Sequence, residues 1–149
     1  MKQCTNSEST YHNLFRFAFP TGLRLGELQA LTFDDYNSKT NMIQINKTLV
    51  TVNDYNEDSN KKQKTLIESA TKTASGKRAV PLNKAATEAF ENQRKHNSQN
   101  SPFIFFSTAG TPVQKRNIYR EFKKLLEAAN IISPVTFHST RHSFATRLL

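Results

Sequence analysis

With 149 residues, 36% hydrophobic and 22% charged, the chain has enough apolar material for one domain with a packed core. No apolar run approaches the roughly 18 residues of a membrane span and no charged-then-apolar leader follows Met1, so membrane and secreted classes are set aside and a cytoplasmic location is expected. The formal net charge of +9 is uneven, residues 1–60 carrying five Lys/Arg against seven Asp/Glu and residues 61–149 sixteen against five. A basic C-terminal part of this kind suits a polyanion, nucleic acid foremost, against the alternative of a merely solvated basic face. The single cysteine, Cys4, excludes an internal disulfide and has no base or metal partner beside it in sequence.

Taken in order, residues 6–19 place Tyr11, Leu14, Phe15, Ala18 and Phe19 at helical spacing behind Ser and Thr capping candidates. Pro20 and Gly22 break this helix, and a second runs from Arg24 or Leu25 to about Leu31. Arg24 then stands near a helix start with Glu27 three residues on, so a structural ion pair is one reading of that arginine. A turn-rich segment follows, and Met42 to Val52 alternates with many β-branched residues, which predicts a strand. Residues 53–64 read as a polar loop. Thr65 to Lys72 and Lys77 to Leu82 read as two further strands joined at Thr73-Ala-Ser-Gly76, a hairpin with Lys72 at or beside its tip.

Asn83 is a suitable N-cap for a helix to about Lys95 with Ala85, Ala86, Ala89 and Phe90 on its apolar face. Phe103 to Phe106 reads as a short buried segment, and Thr111-Pro112 as the opening of another helix with Pro in its first turn. That helix has Ile118, Phe122, Leu125, Leu126 and Ala129 on one side and Lys115, Arg116, Arg120, Lys123 and Lys124 around the rest. The last stretch, Val135 to Leu149, starts a helix on which His138 and Arg141 share a face one turn apart and could reach the same small anion. Phe144, Ala145, Leu148 and Leu149 would pin that helix to a core. The fold class expected is α+β, mostly helical with a small three-stranded antiparallel sheet.

Three separated stretches thus carry cations that one phosphate could use: Thr21-Gly-Leu-Arg24-Leu-Gly-Glu-Leu, Lys72-Thr-Ala-Ser-Gly-Lys-Arg-Ala-Val-Pro-Leu, and His138-Ser-Thr-Arg141-His-Ser-Phe-Ala-Thr. In order and wording they resemble the catalytic domain of tyrosine recombinases, the phage-integrase family, from about residue 9 to the last residue. The resemblance implies that Arg24, Lys72, His138 and Arg141 hold a scissile DNA phosphate while a tyrosine attacks it, giving a 3′-phosphotyrosyl link and a free 5′-hydroxyl. It implies double-stranded DNA and other integrase subunits as partners. It implies no metal and no nucleotide cofactor, since the exchange conserves bond energy. Two arginines suit this chemistry because they stay charged at neutral pH and give paired N–H bonds to phosphate oxygens. Lys72 would protonate the leaving 5′-oxygen, and His138 would bond the phosphate or take the tyrosine proton.

Two departures from the family accompany the match. Its nucleophilic Tyr, with a further His or Trp before it, comes well after the His-x-x-Arg pair, whereas eight residues follow Arg141 and Tyr11, Tyr36, Tyr55 and Tyr119 all precede it. There is also no room ahead of Tyr11 for the separate DNA-binding domain. The expectation is therefore a single truncated catalytic domain over 1–149, missing both the N-terminal DNA-binding domain and the C-terminal nucleophile segment, and inactive alone. A non-catalytic DNA-binding module is the alternative. An unrelated RNA-binding protein would show stacking aromatics on an exposed sheet, and the strands show none. Lys77 and Arg78 are read as DNA-backbone contacts or solvated hairpin charges, and Lys115 and Arg116 as DNA-binding groups. His138 and His142 have zinc-compatible spacing, yet no Glu or Cys nearby completes a set.

Overall fold

A computed structural model describes residues 6–54, 63–70, 77–139 and 141. Helix α1 (Asn6–Thr21) buries Leu14, Phe15, Phe17 and Ala18. Phe17, absent from the expected apolar set, is fully buried, while Phe19 is 39% exposed. The helix runs through Pro20 to Thr21. Gly22 ends it in a left-handed conformation (φ 62°) that lets its N–H reach the Ala18 carbonyl at 3.0 Å. Helix α2 (Leu25–Ala30) follows after three residues, as the sequence predicts. A 3₁₀ turn (Phe33–Asp35) is closed by the Asp35 carboxylate, which accepts from the Thr32 N–H at 2.8 Å and pairs with Lys47 at 3.1 Å.

Strands β1 (Tyr36–Asn37), β2 (Met42–Ile45), β3 (Lys47–Asp54), β4 (Gln63–Ala70) and β5 (Arg78–Pro81) follow. They form a three-stranded antiparallel sheet in the order β1-β2-β5 and a two-stranded ribbon, β3-β4. The sheet is present as expected, but its members differ from the expected three. The single strand from Met42 is interrupted at Asn46, and the arms expected to pair with each other do not: β5 pairs with β2 (Ile43↔Val80, Ile45↔Arg78) and β4 with β3 (Lys47↔Ala70). The turn signal at 73–76 is local, whereas register follows from burying Ile43 (0% exposed) and Ile45 (1%) on the core side. Residues 71–76, Lys72 with them, lie outside the described residues.

Helix α3 (Lys84–Lys95) starts where Asn83 caps it, its Oδ1 accepting from the Ala86 N–H at 2.9 Å. It packs against α1 and buries Ala86, Ala89 and Phe90. Between the two helices Asn13 donates to Gln93, which in turn donates to the Ile104 carbonyl, both at 2.9 Å. Each of these buried amides thus has a hydrogen-bond partner, the condition for placing it in a core. Of the segment 103–106, expected to be buried throughout, Ile104, Phe105 and Phe106 are buried and Phe103 is half-buried, held by backbone bonds from Ile104 to Leu31 and from Val113 to Phe105. Pro112 does not open a helix: it bridges Phe106, and α4 (Lys115–Ala128) begins after Gln114. On α4 only Ile118 and Phe122 are buried, Leu125 being 41% exposed, so its apolar stripe is narrower than the sequence spacing suggests. Residues 137–139 and 141 are helical, and among the described residues no helix is long and apolar enough to cross a membrane. Residues 142–149, with the expected core positions Phe144, Ala145, Leu148 and Leu149, fall outside the description.

Candidate functional site

The turn between α1 and α2 presents Arg24. Its backbone is extended (φ −71°, ψ 152°), so it caps α2 from outside, and its N–H donates to the Glu27 carboxylate at 2.8 Å. Its side chain is 57% exposed and, among the described residues, its guanidinium makes a single longer bond, Nη1 to Glu27 Oε1, at 3.3 Å. The ion pair read from the spacing of Arg24 and Glu27 is therefore real, yet most of the arginine head remains open to solvent.

Glu27 is 2% exposed, and a second arginine meets it from the sheet. Arg78, at the start of β5, lays its fork across the carboxylate, Nη1 to Oε1 at 3.0 Å and Nη2 to Oε2 at 2.9 Å. Burial by itself pushes the Glu27 carboxyl up, but the Arg78 bonds, the Arg24 N–H and both positive charges outweigh it and hold the group below its ordinary value. Arg78 is thus no solvated hairpin charge: it is a 30% exposed partner of a buried acid. Sequence reading missed this pairing because Arg78 and Glu27 meet only when β5 is laid beside β2. The one local signal was the burial of an acid next to Leu28, which needs a cation from somewhere.

Arg141 comes from the far end of the chain. Its helical turn is anchored by Phe137, 3% exposed, whose ring lies 6.2 Å from that of Phe15 on α1 and 5.7 Å from that of Phe122 on α4. Thr136 begins the turn, accepting from the Ser139 N–H at 2.9 Å, while its hydroxyl lies 3.1 Å from that of Ser139. So placed, Arg141 donates to the Gly22 carbonyl at 3.4 Å, two residues from Arg24. Its pKa is lowered from the ordinary arginine value, first by burial and then by the like charges of Arg24 and Arg78, with Glu27 acting the other way. Three guanidiniums thus gather around one carboxylate and leave an excess of positive charge. Such a site favours an oxyanion with more than one acceptor oxygen.

The remaining expected residues divide. His138 is exposed on the same turn as Arg141. Lys77 is exposed just before β5. Lys115 and Arg116 are exposed in the first turn of α4, Lys115 Nζ standing 5.7 Å from the Tyr119 ring centroid. Lys72, His142 and Tyr55 lie outside the described residues. Of the other tyrosines, Tyr36 donates its hydroxyl to Asn41 at 2.9 Å and packs on Phe90, ring centroids 4.3 Å apart. Tyr11 is raised in pKa by burial, against the opposing effect of a bond to Asn117.

Compared with known proteins, the whole chain, residues 1–149, matches the model of the Phage integrase family. A tyrosine recombinase XerC-like protein of Caldanaerobacter subterraneus subsp. tengcongensis is 29% identical, the match covering 91% of this chain and 37% of that protein. The integrase of Staphylococcus phage L54a is 31% identical over 86% of this chain and 37% of its own length. Among solved structures, the Tn1549 transposon integrase in complex with a circular intermediate DNA superposes with a TM-score of 0.74 at 22% identity, over 98% of this chain and 48% of that one. The XerH site-specific recombinase bound to its difH substrate superposes at 0.69 with 17% identity, over 99% of this chain and 38% of that one. The chain spans less than half the length of each of these four proteins.

Proposed function

Because this chain belongs to the phage integrase family, whose model it matches over residues 1–149, we propose that it is the phosphate-gripping part of a tyrosine recombinase catalytic domain. It acts on duplex DNA in the cytoplasm, beside other integrase subunits. The observation that supports this most is the meeting of Arg24 and Arg141, from opposite ends of the chain, at one turn. In the complete enzyme Arg24 and Arg141 bind the non-bridging oxygens of the scissile phosphate and stabilise the charge that builds on them as the tyrosine attacks. Lys72 protonates the departing 5′-oxygen, and His138 bonds the phosphate or receives the tyrosine proton. Lys77, Lys115 and Arg116 neutralise backbone phosphates on either side.

On this reading residues 1–149 by themselves are expected not to cut DNA, since Tyr11, Tyr36, Tyr55 and Tyr119 all precede Arg141 and match no nucleophile motif. Tyr36 and Tyr11 are tied into packing and hydrogen bonds, which suits side chains with structural roles. That engagement also favours a second reading, a DNA-binding module that grips phosphate without cleaving. A nicked suicide substrate separates the two. The chain alone is expected to give no covalent adduct. The same chain extended by the C-terminal segment of an intact relative is expected to give one, and Arg141→Ala to abolish it, with a rate loss of roughly 10³ to 10⁵ by analogy with other phosphoryl-transfer arginines. Adduct from the unextended chain would overturn the assignment of the nucleophile. An extended chain that stays inert yet binds DNA would favour the second reading.

A further inference from the structure

We propose that Arg78 is a positioning residue that keeps Arg24 available to phosphate by satisfying Glu27 in its place. The inference rests on the reading of Arg24 as a phosphate ligand. Glu27 is 2% exposed and, among the described residues, accepts four bonds from two arginines: Oε1 from Arg78 Nη1 at 3.0 Å and Arg24 Nη1 at 3.3 Å, Oε2 from Arg78 Nη2 at 2.9 Å and the Arg24 backbone N–H at 2.8 Å. The two arginines share the acid unequally. Arg78 gives both arms of its fork and is 30% exposed, whereas Arg24 gives one long side-chain bond and is 57% exposed.

A buried carboxylate stripped of one cation draws on the nearest remaining one, because an uncompensated charge in the interior costs more than moving a side chain. Without Arg78, that cation is Arg24, whose Nη1 already touches Oε1. Its guanidinium then turns inward to Glu27 and leaves the surface. The backbone bond from Arg24 to Oε2 fixes the acid beside it, so the competition is built into the α2 N-terminus. Since Arg78 opens β5, opposite Ile45, the sheet edge that follows the Lys72 segment is clamped to the same acid. A lysine at 78 cannot do the same work, for one ammonium does not span both oxygens as a planar fork does.

The test is duplex-DNA binding by fluorescence anisotropy at fixed low salt for the parent chain, Arg24→Ala, Arg78→Ala, Arg78→Lys, Glu27→Gln and the double variant Arg78→Ala with Glu27→Gln, each checked for folding by thermal melting. Arg78→Ala is expected to weaken binding as much as Arg24→Ala, roughly tenfold for one charge-assisted contact, with Arg78→Lys between it and the parent. Removing the acid's charge as well is expected to restore the affinity to about that of Glu27→Gln alone, a coupling that only an action through Glu27 produces. If Arg78 touched DNA directly, the double variant would bind as weakly as Arg78→Ala, and that result overturns the proposal, as does an Arg78→Ala that binds like the parent. Should Arg78→Ala not fold, the arginine side-chain ¹⁵N–¹H signals of Arg78→Lys decide. The Arg24 Nη protons gain protection from exchange if the guanidinium turns inward, and no gain overturns the proposal. Binding indifferent to Arg24→Ala would overturn the reading of the site and this inference with it. Binding that depends on Arg24 but not on Arg78 would overturn this inference alone.

Discussion

Burial raises the Glu27 carboxyl, yet Arg78 and Arg24 bring it below its ordinary value, and the sign of its contribution to stability follows. A carboxyl depressed in the folded state takes up its proton first in the unfolded chain. Its contribution is therefore complete above the unfolded value, about 4.3, and fades as pH falls through the folded one. Urea midpoints measured from about pH 6 to about pH 3 are expected to decline in the parent and to decline less in Glu27→Gln. Glu121, depressed chiefly by its bond from Lys124, titrates in the same direction in both proteins, so the difference between the two curves isolates Glu27. Parallel curves would show that the arginines do not stabilise the ionised form.

At the scale of elements, α2 owes its position to a missing side chain. A Cβ on Gly26 would stand 2.5 Å from Thr48 Oγ1 and 2.9 Å from the Leu49 carbonyl oxygen, so the helix lies directly against β3. The threonine can rotate; the carbonyl cannot. Gly26→Ala gains helix propensity of about 1 kcal/mol but overpacks a backbone contact, at a cost of roughly 1–3 kcal/mol or more. The Tm is expected to fall, each net kcal/mol being worth about 2–4 °C in a chain of this size. A Tm at or above the parent's would refute the close packing. The turn carrying His138 and Arg141 depends in the same way on Phe137, whose ring joins α1 to α4. Phe137→Ala is expected to cost about 3–5 kcal/mol in urea unfolding. The milder Phe137→Leu should stay folded and bind DNA more weakly than the parent, because Arg141 loses its anchor.

For the whole molecule, charge is the property that governs DNA binding in the reading proposed here. The basic excess lies beyond residue 60, and Lys77, Lys115 and Arg116 are exposed there. Binding to random duplex DNA is expected to be weak and steeply dependent on salt, with a log-log slope of about −0.9 for each phosphate neutralised. Lys115→Ala with Arg116→Ala should lower that slope by about 2 if both touch phosphates. A slope near zero between low and moderate salt would remove the electrostatic argument altogether.

Helical spacing and caps were sufficient to read α1, α2 and α3 nearly to their ends, because Asn83, Gly22 and the apolar rows act within a turn or two of their neighbours. The family, too, was legible, since the wording around Arg24, Lys72 and His138 to Arg141 is carried by short contiguous stretches. What depended on the tertiary structure was long range. Which strands pair was decided by burial of Ile43 and Ile45 and not by the turn signal at 73–76. The start of α4 was decided by the bridge between Phe106 and Pro112. That Arg78 belongs to Glu27, and Arg141 to the turn of Gly22, depends on strands and helices brought together from distant parts of the chain. Local spacing reports which face a side chain is on, but the partner of a buried charge is set by whatever element packs over it, and no periodicity encodes that.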